Sequence, residues 1–446
     1  MLSSLFRKLG GQAAPSSGTA AKTARVTGAG WRETLLVACL PSILYVTYGT
    51  LGAYLARDDF QWLNDARDLG VMRSFIVTGR AHFYRPVVEL WWDATFRVCG
   101  TSTVCYHSFE LFLHITNSVL LLHLTARVFR RSDVALIAAL TWAVMPSYVE
   151  AVLWICAVTT AFAAMWYLAA LHFALTAAQR QEVGWASWAS AGCAAAAMYS
   201  HEATVTLFAT IPLVIWASRA PRKWPRAVEL AVFTLLAAAL TITTVTANRR
   251  SYVFTEGHYA AGVHAFQHAR DYVLSMYVGR HAASDYVLLA IVVVAIALRG
   301  TRVMRAGLIW MLVTMPPYLL FTWGNVGRYT YLPSIGLCWM FAGAIVWVGD
   351  RLKPRLGIRV AAAATALLAL IIAGRFASFT RGAVRGEVNW MEAYRSYRDE
   401  VSPLLLPQAV EVTVPTPRDP RVETNYIEPM LRWQTGNPEL RVRVAP

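Results

Sequence analysis

Long apolar runs alternate with short polar stretches along the chain, and this pattern predicts a bundle of membrane-spanning helices. A helix needs about 20 mostly apolar residues to cross the hydrocarbon core, and fewer where neighbouring helices shelter its ends. The runs that meet this requirement lie near residues 35–56, 107–126, 134–149, 156–177, 186–200, 203–218, 228–246, 286–298, 306–322, 331–348 and 360–374. The predicted fold class is therefore an all-α polytopic membrane protein with about 11 transmembrane helices.

The polar stretches between the runs alternate in charge, which predicts the side of the membrane that each one faces. Cytoplasmic loops carry an excess of arginine and lysine. With the N-terminus inside, the inner loops are the basic ones, and they contain Arg127, Arg130, Arg131, Arg180, Arg219, Arg222, Lys223, Arg226, Arg299, Arg302, Arg305, Arg351, Lys353, Arg355 and Arg359. The C-terminus then lies on the outer side of the membrane. Because the composition is rich in alanine and arginine, as in bacteria with G+C-rich genomes, we expect this membrane to be a bacterial inner membrane and the outer side to be the periplasm.

Three longer segments, residues 57–106, 248–285 and 375–446, fall on the outer side. They hold mixed charge, many aromatic residues and most of the histidines. We expect an amphipathic helix over Phe83–Val98 that lies at the membrane interface, with its tryptophans at headgroup depth. The last segment is predicted to form a small periplasmic appendage, with a helix near Trp390–Tyr397 and a strand near residues 410–414.

The domain organisation follows from these segments. Residues 1–30 are rich in glycine, alanine and serine and lack the apolar core of a secretory signal, so we expect a disordered cytoplasmic tail. Residues 31–374 form the predicted transmembrane module. Residues 375–446 form the periplasmic segment.

Composition supports this assignment and excludes a soluble globular protein. Hydrophobic residues make up 57% of the chain and charged residues 15%, whereas soluble domains contain about 25% charged residues. The net charge of +15 comes from short clusters between apolar runs, so topology accounts for it and no nucleic-acid partner is expected. The cysteines stand singly, without metal-type spacing, and are interpreted as small core residues. They are Cys39, Cys99, Cys105, Cys156, Cys193 and Cys338.

The most chemically suggestive stretch is the pair Asp58 and Asp59, directly after the first apolar run. A charged pair at that position is solvated and available for chemistry, although ionisable groups at membrane edges also serve as simple end-markers. Arg85 follows in the sequence His82-Phe83-Tyr84-Arg85-Pro86. We therefore predict an active-site loop in the first outer segment.

Other polar residues fall at the ends of apolar runs or on one stripe inside them. His107, Glu110, His114 and Asn117 share one helix face. A buried hydrogen-bond network explains His114 and Asn117, and the first two are better site candidates. Further candidates at outer ends are Glu150, His201, Glu202, Arg249, Arg250, Arg328 and Tyr329. The arginines suit a phosphate or pyrophosphate, and snorkelling at a helix end is the alternative interpretation.

The outer histidines His258, His264, His268 and His281 raise the question of a metal site. His264 and His268 are spaced to ligate together, but no carboxylate of matching spacing accompanies them. We therefore assign no metal ligands from the sequence. A divalent metal bound at another site is the alternative.

Several motifs follow one another in a recognisable order over residues 35–340. After the Asp pair come Tyr84-Arg85-Pro86-Val87, Cys105-Tyr106-His107, His114-Ile115-Thr116-Asn117, Met145 to Trp154, His201-Glu202-Ala203, and Arg328 to Gly336. This order resembles the GT-C membrane glycosyltransferases, in particular their protein O-mannosyltransferase-like branch. The tetratricopeptide repeats of that branch are absent, so its acceptor does not carry over. His201 also stands where that branch has lysine before glutamate.

The resemblance implies transfer of a sugar from a polyprenyl-phosphate donor, with inversion at the anomeric carbon, to a glycan, lipid or protein acceptor on the periplasmic face. The catalytic base of the family maps to Asp58 or Asp59. Arg328, with Arg249 or Arg250, would stabilise the leaving phosphate. The remaining predicted binding residues are Arg85, His107, Glu110, Glu150, His201, Glu202 and Tyr329.

Two other functions fit a polytopic membrane protein. A polysaccharide polymerase or ligase also uses a polyprenyl carrier, but that class usually places its key arginines in one large late loop. A transporter or flippase predicts functional charges near the middle of the bilayer, and here they gather at one rim.

Overall fold

The computed structural model describes residues 29–77, 83–180, 184–220, 227–249, 251–276, 283–323, 326–405 and 410–445. Most of them are helical. The α-helices are Trp31–Thr47, Asp58–Leu69, Pro86–Cys99, Thr103–Phe129, Ser132–Ala143, Glu150–Leu153, Val158–Arg180, Trp185–Met198, Leu207–Ser218, Ala227–Asn248, Tyr252–Thr255, His264–Met276, Ala283–Arg299, Arg302–Thr314, Pro316–Leu319, Pro333–Val401 and Ile427–Thr435. The predicted tail at residues 1–28, together with His82, Arg222, Lys223, Arg226, Arg250 and His281, lies outside the described residues.

A helix overlaps each apolar run of the sequence. Within the described residues, four helical stretches are long and apolar enough to cross a membrane: Thr103–Phe129, Ile155–Arg180, Glu229–Ala247 and Pro333–Leu404. Leucines on the last of them, such as Leu367 and Leu370, are 60% and 67% exposed. Such a band of exposed apolar side chains requires a lipid environment, as expected for a membrane protein.

The first apolar run is not one helix to its end, which corrects the predicted span 35–56. The helix ends at Thr47, and Gly49 adopts a left-handed conformation with φ of 83° before a short turn at Thr50–Gly52. Residues 53–56 are not helical, and all four are buried. Because buried extended chain and buried helix are equally apolar, hydropathy could not locate this end.

The last span continues into the C-terminal segment. Pro333–Val401 is interrupted at Gly357, where φ is 76°, and the helix then continues to Val401. At a rise of 1.5 Å per residue this second part is about 66 Å long, roughly twice the thickness of the hydrocarbon core. The predicted boundary at residue 375 therefore lies within a continuous helix.

The C-terminal segment, defined here as residues 375–446, folds back onto the end of the bundle that carries the acid pair Asp58 and Asp59. Its two described strands, Glu411–Val414 and Arg441–Val444, pair in parallel, and helix Ile427–Thr435 packs between them and the rest of the protein. Apolar residues on this helix, including Met430 and Leu431, are fully buried. The segment therefore shares one hydrophobic core with residues 57–106, the predicted first outer loop.

The predicted first outer loop, residues 57–106, is packed against protein, and its disulfide corrects one expectation. The amphipathic helix spans Pro86–Cys99, and Trp92 is only 3% exposed because it stacks on Trp62. The rings of its two tryptophans therefore pack against other aromatic side chains of the protein. Cys99 and Cys105 form a disulfide, so these two cysteines are not separate core residues.

Candidate active site

The acid helix, Asp58–Leu69, begins directly after a residue with an unusual backbone. Arg57 has φ of 53° and ψ of −126°, so the chain turns sharply before the helix starts. The two acidic side chains at the start of the helix lie in different environments. Asp58 is half-buried at the helix start, whereas Asp59 is completely buried.

Asp59 anchors the acid helix to the turn at Ile155–Ala157. Its carboxylate accepts hydrogen bonds from the backbone N–H of Ala56 at 3.0 Å and of Cys156 at 2.6 Å. Burial, opposed by these two bonds, raises the pKa of Asp59 to about 8. Both carboxylate oxygens of Asp59 are therefore engaged within the protein.

Arg85 immediately precedes helix Pro86–Cys99 and reaches Glu202, which starts the turn Glu202–Thr206. The guanidinium donates two hydrogen bonds to the carboxylate, at 2.7 and 3.0 Å. Burial by itself would raise the pKa of Glu202, but Arg85 and His201 lower it to about 2. Burial lowers the pKa of His201 to about 4, so its imidazole is neutral at pH 7.

Arg328 makes the second ion pair of the site. Its guanidinium contacts the Glu150 carboxylate at 2.5 Å, and its backbone N–H donates to the same group at 3.2 Å. The guanidinium also lies 4.9 Å from the centre of the Trp154 ring. A side chain at Gly327 would meet the Ser147 carbonyl at 2.7 Å, so glycine permits this close approach of the two loops.

The two ion pairs and the acid helix converge on Cys156. This half-buried thiol is close enough to interact electrostatically with Asp58, Asp59, Arg85 and Arg328. The structure therefore brings together the predicted residues of three distant segments, near positions 58, 85 and 328. Tyr329, also in the predicted set, interacts with both arginines and is 6% exposed.

The other predicted residues are buried behind this cluster or lie apart from it. His107 and Glu110 are each 2% exposed, and Glu110 lies in the interior near Asp59. His114 and Asn117 both bond to the Tyr331 hydroxyl, as expected of a buried network. Arg249 is exposed at a turn after helix Ala227–Asn248, and Arg250 lies outside the described residues.

Sequence reasoning missed several residues at the site. Glu387, on the long helix, is close enough to interact with Glu150, Arg57 and Arg328. Tyr426, in the C-terminal segment, donates a hydrogen bond to Asp58. No periodic or motif signal marks either residue, because both reach the site through long-range folding.

An apolar cavity of about 260 Å³ opens beside the Arg85–Glu202 pair. His201 and Glu202 form its polar end, and Leu240, Val245 and Phe321 are among the residues of its apolar wall. Helix Ala227–Asn248 contributes part of this wall, so the cavity borders a membrane-spanning segment. The site thus combines charged groups with a space suited to a hydrocarbon chain.

Among the described residues, no group of three or more histidine, cysteine or acidic side chains is arranged to hold a metal ion. His264 and His268 are adjacent, with ring centres 5.3 Å apart. Two neighbouring histidines without a third ligand do not make a structural or catalytic metal site.

Comparison with known proteins identifies a structural relative. The chain matches no protein-family model and no curated protein sequence. Its structure is similar to the crystal structure of ArnT from Cupriavidus metallidurans bound to undecaprenyl phosphate, with a TM-score of 0.56 and 12% sequence identity. The match covers 92% of this chain and 89% of that chain. The likeness shows that the two chains share a fold, and it confirms the predicted fold class of an all-α polytopic membrane protein.

Proposed function

We propose that this protein is an inverting glycosyltransferase that moves a sugar from a polyprenyl-phosphate donor to an acceptor on the periplasmic face. One observation carries the proposal: an acidic residue and two arginines converge beside an apolar cavity. The fold shared with ArnT, which was crystallised with undecaprenyl phosphate, supports a polyprenyl-phosphate ligand. Membership of the protein O-mannosyltransferase-like branch is a prediction from the sequence motifs.

The donor would bind across the boundary between the cavity and the charged cluster. An apolar cavity of about 150 Å³ accommodates benzene, so the 260 Å³ here has room for roughly two isoprenyl units of the carrier. Arg85 lies at the polar end of the cavity through its pairing with Glu202. The phosphate would therefore meet Arg85 first, with Arg328 on the side toward the acid helix.

We assign the catalytic base to Asp58 and not to Asp59. Asp59 is fully buried and both of its oxygens accept backbone hydrogen bonds, so it has no oxygen to offer an acceptor. Asp58 is half-buried at the first position of the acid helix and faces the cluster around Cys156. Only Asp58 therefore combines access to substrate with proximity to the arginines.

The proposed reaction is a single displacement. The acceptor hydroxyl gives its proton to the Asp58 carboxylate while its oxygen forms a bond to the anomeric carbon. The bond from that carbon to the phosphate oxygen breaks, and the polyprenyl phosphate leaves with the electron pair. Arg85 and Arg328 stabilise the negative charge that develops on the leaving phosphate.

Glu202 and Glu150 hold these two guanidinium groups before the donor arrives. Each ion pair is only partly exposed, with side-chain exposure between 12% and 26%. A carboxylate partner on one edge fixes the direction of the guanidinium, and the other edge of the planar group still offers N–H donors. The pairs therefore preorganise the phosphate site and lower the cost of ordering it on binding.

The disulfide supports a periplasmic location of the site. Cys99 and Cys105 lie in the first outer loop, and Phe96, one turn before Cys99, contacts Trp433 of the C-terminal segment. Disulfides persist in the periplasm and are rare in the cytosol. The acid helix, the disulfide and the C-terminal segment would thus share the oxidising side.

The proposal is tested with purified protein and a panel of undecaprenyl-phosphate-linked hexoses and pentoses, with a membrane extract as acceptor source. Released undecaprenyl phosphate, the product common to every donor, is measured by mass spectrometry. We expect release by the wild type, a loss of about 100-fold or more in Asp58→Asn, and near wild-type release by the control Arg97→Ala, whose side chain is 69% exposed.

Absence of release with every donor would contradict the proposal. Movement of the intact lipid across a vesicle bilayer without release of undecaprenyl phosphate would favour the flippase alternative. Full activity of Asp58→Asn in a normally folded protein would reject the assignment of the base.

A further inference from the structure

We infer that the C-terminal segment is part of the catalytic apparatus, because Tyr426 positions Asp58 while Glu423 and Trp390 fix the preceding Arg57. This inference rests on the proposed function, in which Asp58 is the base. It adds residues that no motif identified, located more than 300 positions after the acid pair. Tyr426, Glu423 and Trp390 are positioning residues, since they act through the first outer loop.

The most direct contact is a hydrogen bond from the Tyr426 hydroxyl to the Asp58 carboxylate. A carboxylate has two oxygens, so a donor on one of them leaves the other for the acceptor hydroxyl. The bond also restricts rotation of the Asp58 side chain. A base held in one orientation reaches the acceptor proton more often than a freely rotating one.

The backbone at Arg57 needs support from outside its own loop. Within the described residues the non-glycine residues with positive φ are Arg57, Arg130 and Arg219. The last two have ψ of 37° and 30° at helix ends, the ordinary left-handed region, whereas Arg57 has ψ of −126°. A residue with a Cβ keeps such a conformation only where its surroundings impose it.

The C-terminal segment supplies that support. The Arg57 guanidinium lies over the Trp390 ring and 3.3 Å from the Glu423 carboxylate. On its other side is Trp154 of the bundle, whose ring centre is 5.7 Å from the guanidinium carbon. Arg57 is thus held between the membrane module and the C-terminal segment. Since Asp58 is the next residue, the same contacts determine where the proposed base points.

The acid helix is docked on the same segment along its length. The Asn64 side chain donates to the Pro429 carbonyl at 2.8 Å, and Phe60 packs 5.9 Å from Tyr394. Tyr426 itself directly precedes Ile427, which is fully buried at the start of helix Ile427–Thr435. The hydroxyl is therefore presented from a fixed scaffold and not from a loose tail.

A double-mutant cycle in the full-length protein tests the inference. Tyr426→Phe removes one hydroxyl, and Asp58→Asn removes the proposed base. We expect Tyr426→Phe to lower kcat for undecaprenyl phosphate release by about 10-fold, because misplacing a catalytic group by about 1 Å lowers the rate by up to roughly 100-fold. KM for the lipid-linked sugar should stay unchanged. In the Asp58→Asn background the same change should have no further effect, because its target is already lost.

Tyr397→Phe is the matched control. Its hydroxyl bonds to the Pro415 carbonyl inside the same C-terminal segment, away from the acid helix. We expect wild-type kcat for this variant. A donor-independent measurement accompanies the kinetics: hydrogen exchange of the amides in Asp58–Leu69 should accelerate in Tyr426→Phe and stay unchanged in Tyr397→Phe.

The outcomes separate the inference from the function on which it rests. If Asp58→Asn is inactive but Tyr426→Phe has wild-type kcat and exchange, the positioning inference is overturned and the proposed function stands. An equal loss from Tyr426→Phe in both backgrounds would show a merely structural effect and also overturn it. If Asp58→Asn is fully active, the proposed base itself is wrong.

Discussion

Replacing Asp59 by asparagine tests whether this residue anchors the acid helix as a neutral, buried acid. Burial raises the pKa of Asp59 to about 8 despite two backbone hydrogen bonds to its oxygens. An unfolded aspartate has a pKa of about 3.9, so at pH 7 the folded protein holds a proton that the unfolded chain has lost. The free energy of unfolding is therefore highest in acid, and it decreases as the pH rises through about 8.

The size of this decrease follows from the linkage between proton binding and stability. One pKa unit corresponds to about 1.4 kcal/mol. Between pH 7 and pH 9 the folded state passes from mostly protonated to mostly ionised at Asp59, and integration over this range gives a loss of about 1.4 kcal/mol. Asparagine resembles the neutral acid in shape and has no proton to lose. The free energy of unfolding of Asp59→Asn should therefore not show this decrease between pH 7 and pH 9.

The measurement is thermal unfolding of the purified protein in detergent, followed by tryptophan fluorescence at pH 7, 8 and 9. We expect the wild-type Tm to fall across this range and the Tm of Asp59→Asn to stay nearly level. Asp399→Asn serves as the control, because its side chain is 60% exposed and it should keep the wild-type slope. If Asp59→Asn loses stability as steeply as the wild type, the pH dependence arises elsewhere and the reasoning from burial is refuted.

Three further predictions concern the phosphate site, the thiol beside it and the disulfide. Arg328→Lys keeps the positive charge but loses the planar set of N–H donors. We therefore expect its affinity for undecaprenyl phosphate, measured by microscale thermophoresis, to fall by about 10-fold. Unchanged affinity would show that Arg328 only pairs with Glu150 and does not bind the phosphate. Bound undecaprenyl phosphate should slow alkylation of the half-buried Cys156, as followed by intact-mass spectrometry, and an equal rate would place the lipid elsewhere. Peptide mapping without reductant should recover Cys99 linked to Cys105, and Cys99→Ser should lower stability by about 2 kcal/mol for so short a loop.

The sequence predicted the bundle because apolar runs of membrane length carry a strong and local signal. It also placed Asp58, Glu202 and Arg328 on one side of the membrane, since alternating loop charge assigns each loop to a face. The structure brings these three residues into one cluster. The predicted topology was therefore enough to group these residues, but it could not predict the pairs Arg85–Glu202 and Arg328–Glu150.

The remaining features depend on contacts that hydropathy does not encode. The end of the first helix at Thr47 is set by Gly49 and by burial of the residues that follow. A tryptophan such as Trp92 suits a packed protein contact as well as a membrane interface, so the sequence could not predict that it packs on Trp62. Tyr426 reaches Asp58 only because the C-terminal segment folds back onto the first outer segment of the prediction, residues 57–106.

The docking of Asn64 on Pro429 joins positions 365 residues apart, and this has a consequence for biosynthesis. A ribosome adds about 5–20 residues per second, so about 20–70 s pass between synthesis of the acid helix and arrival of its partner. During that interval a nascent chain carries its proposed base on an unsupported loop. The enzyme would become competent only at the end of translation, and chains released early would leave the pool of lipid-linked sugar untouched.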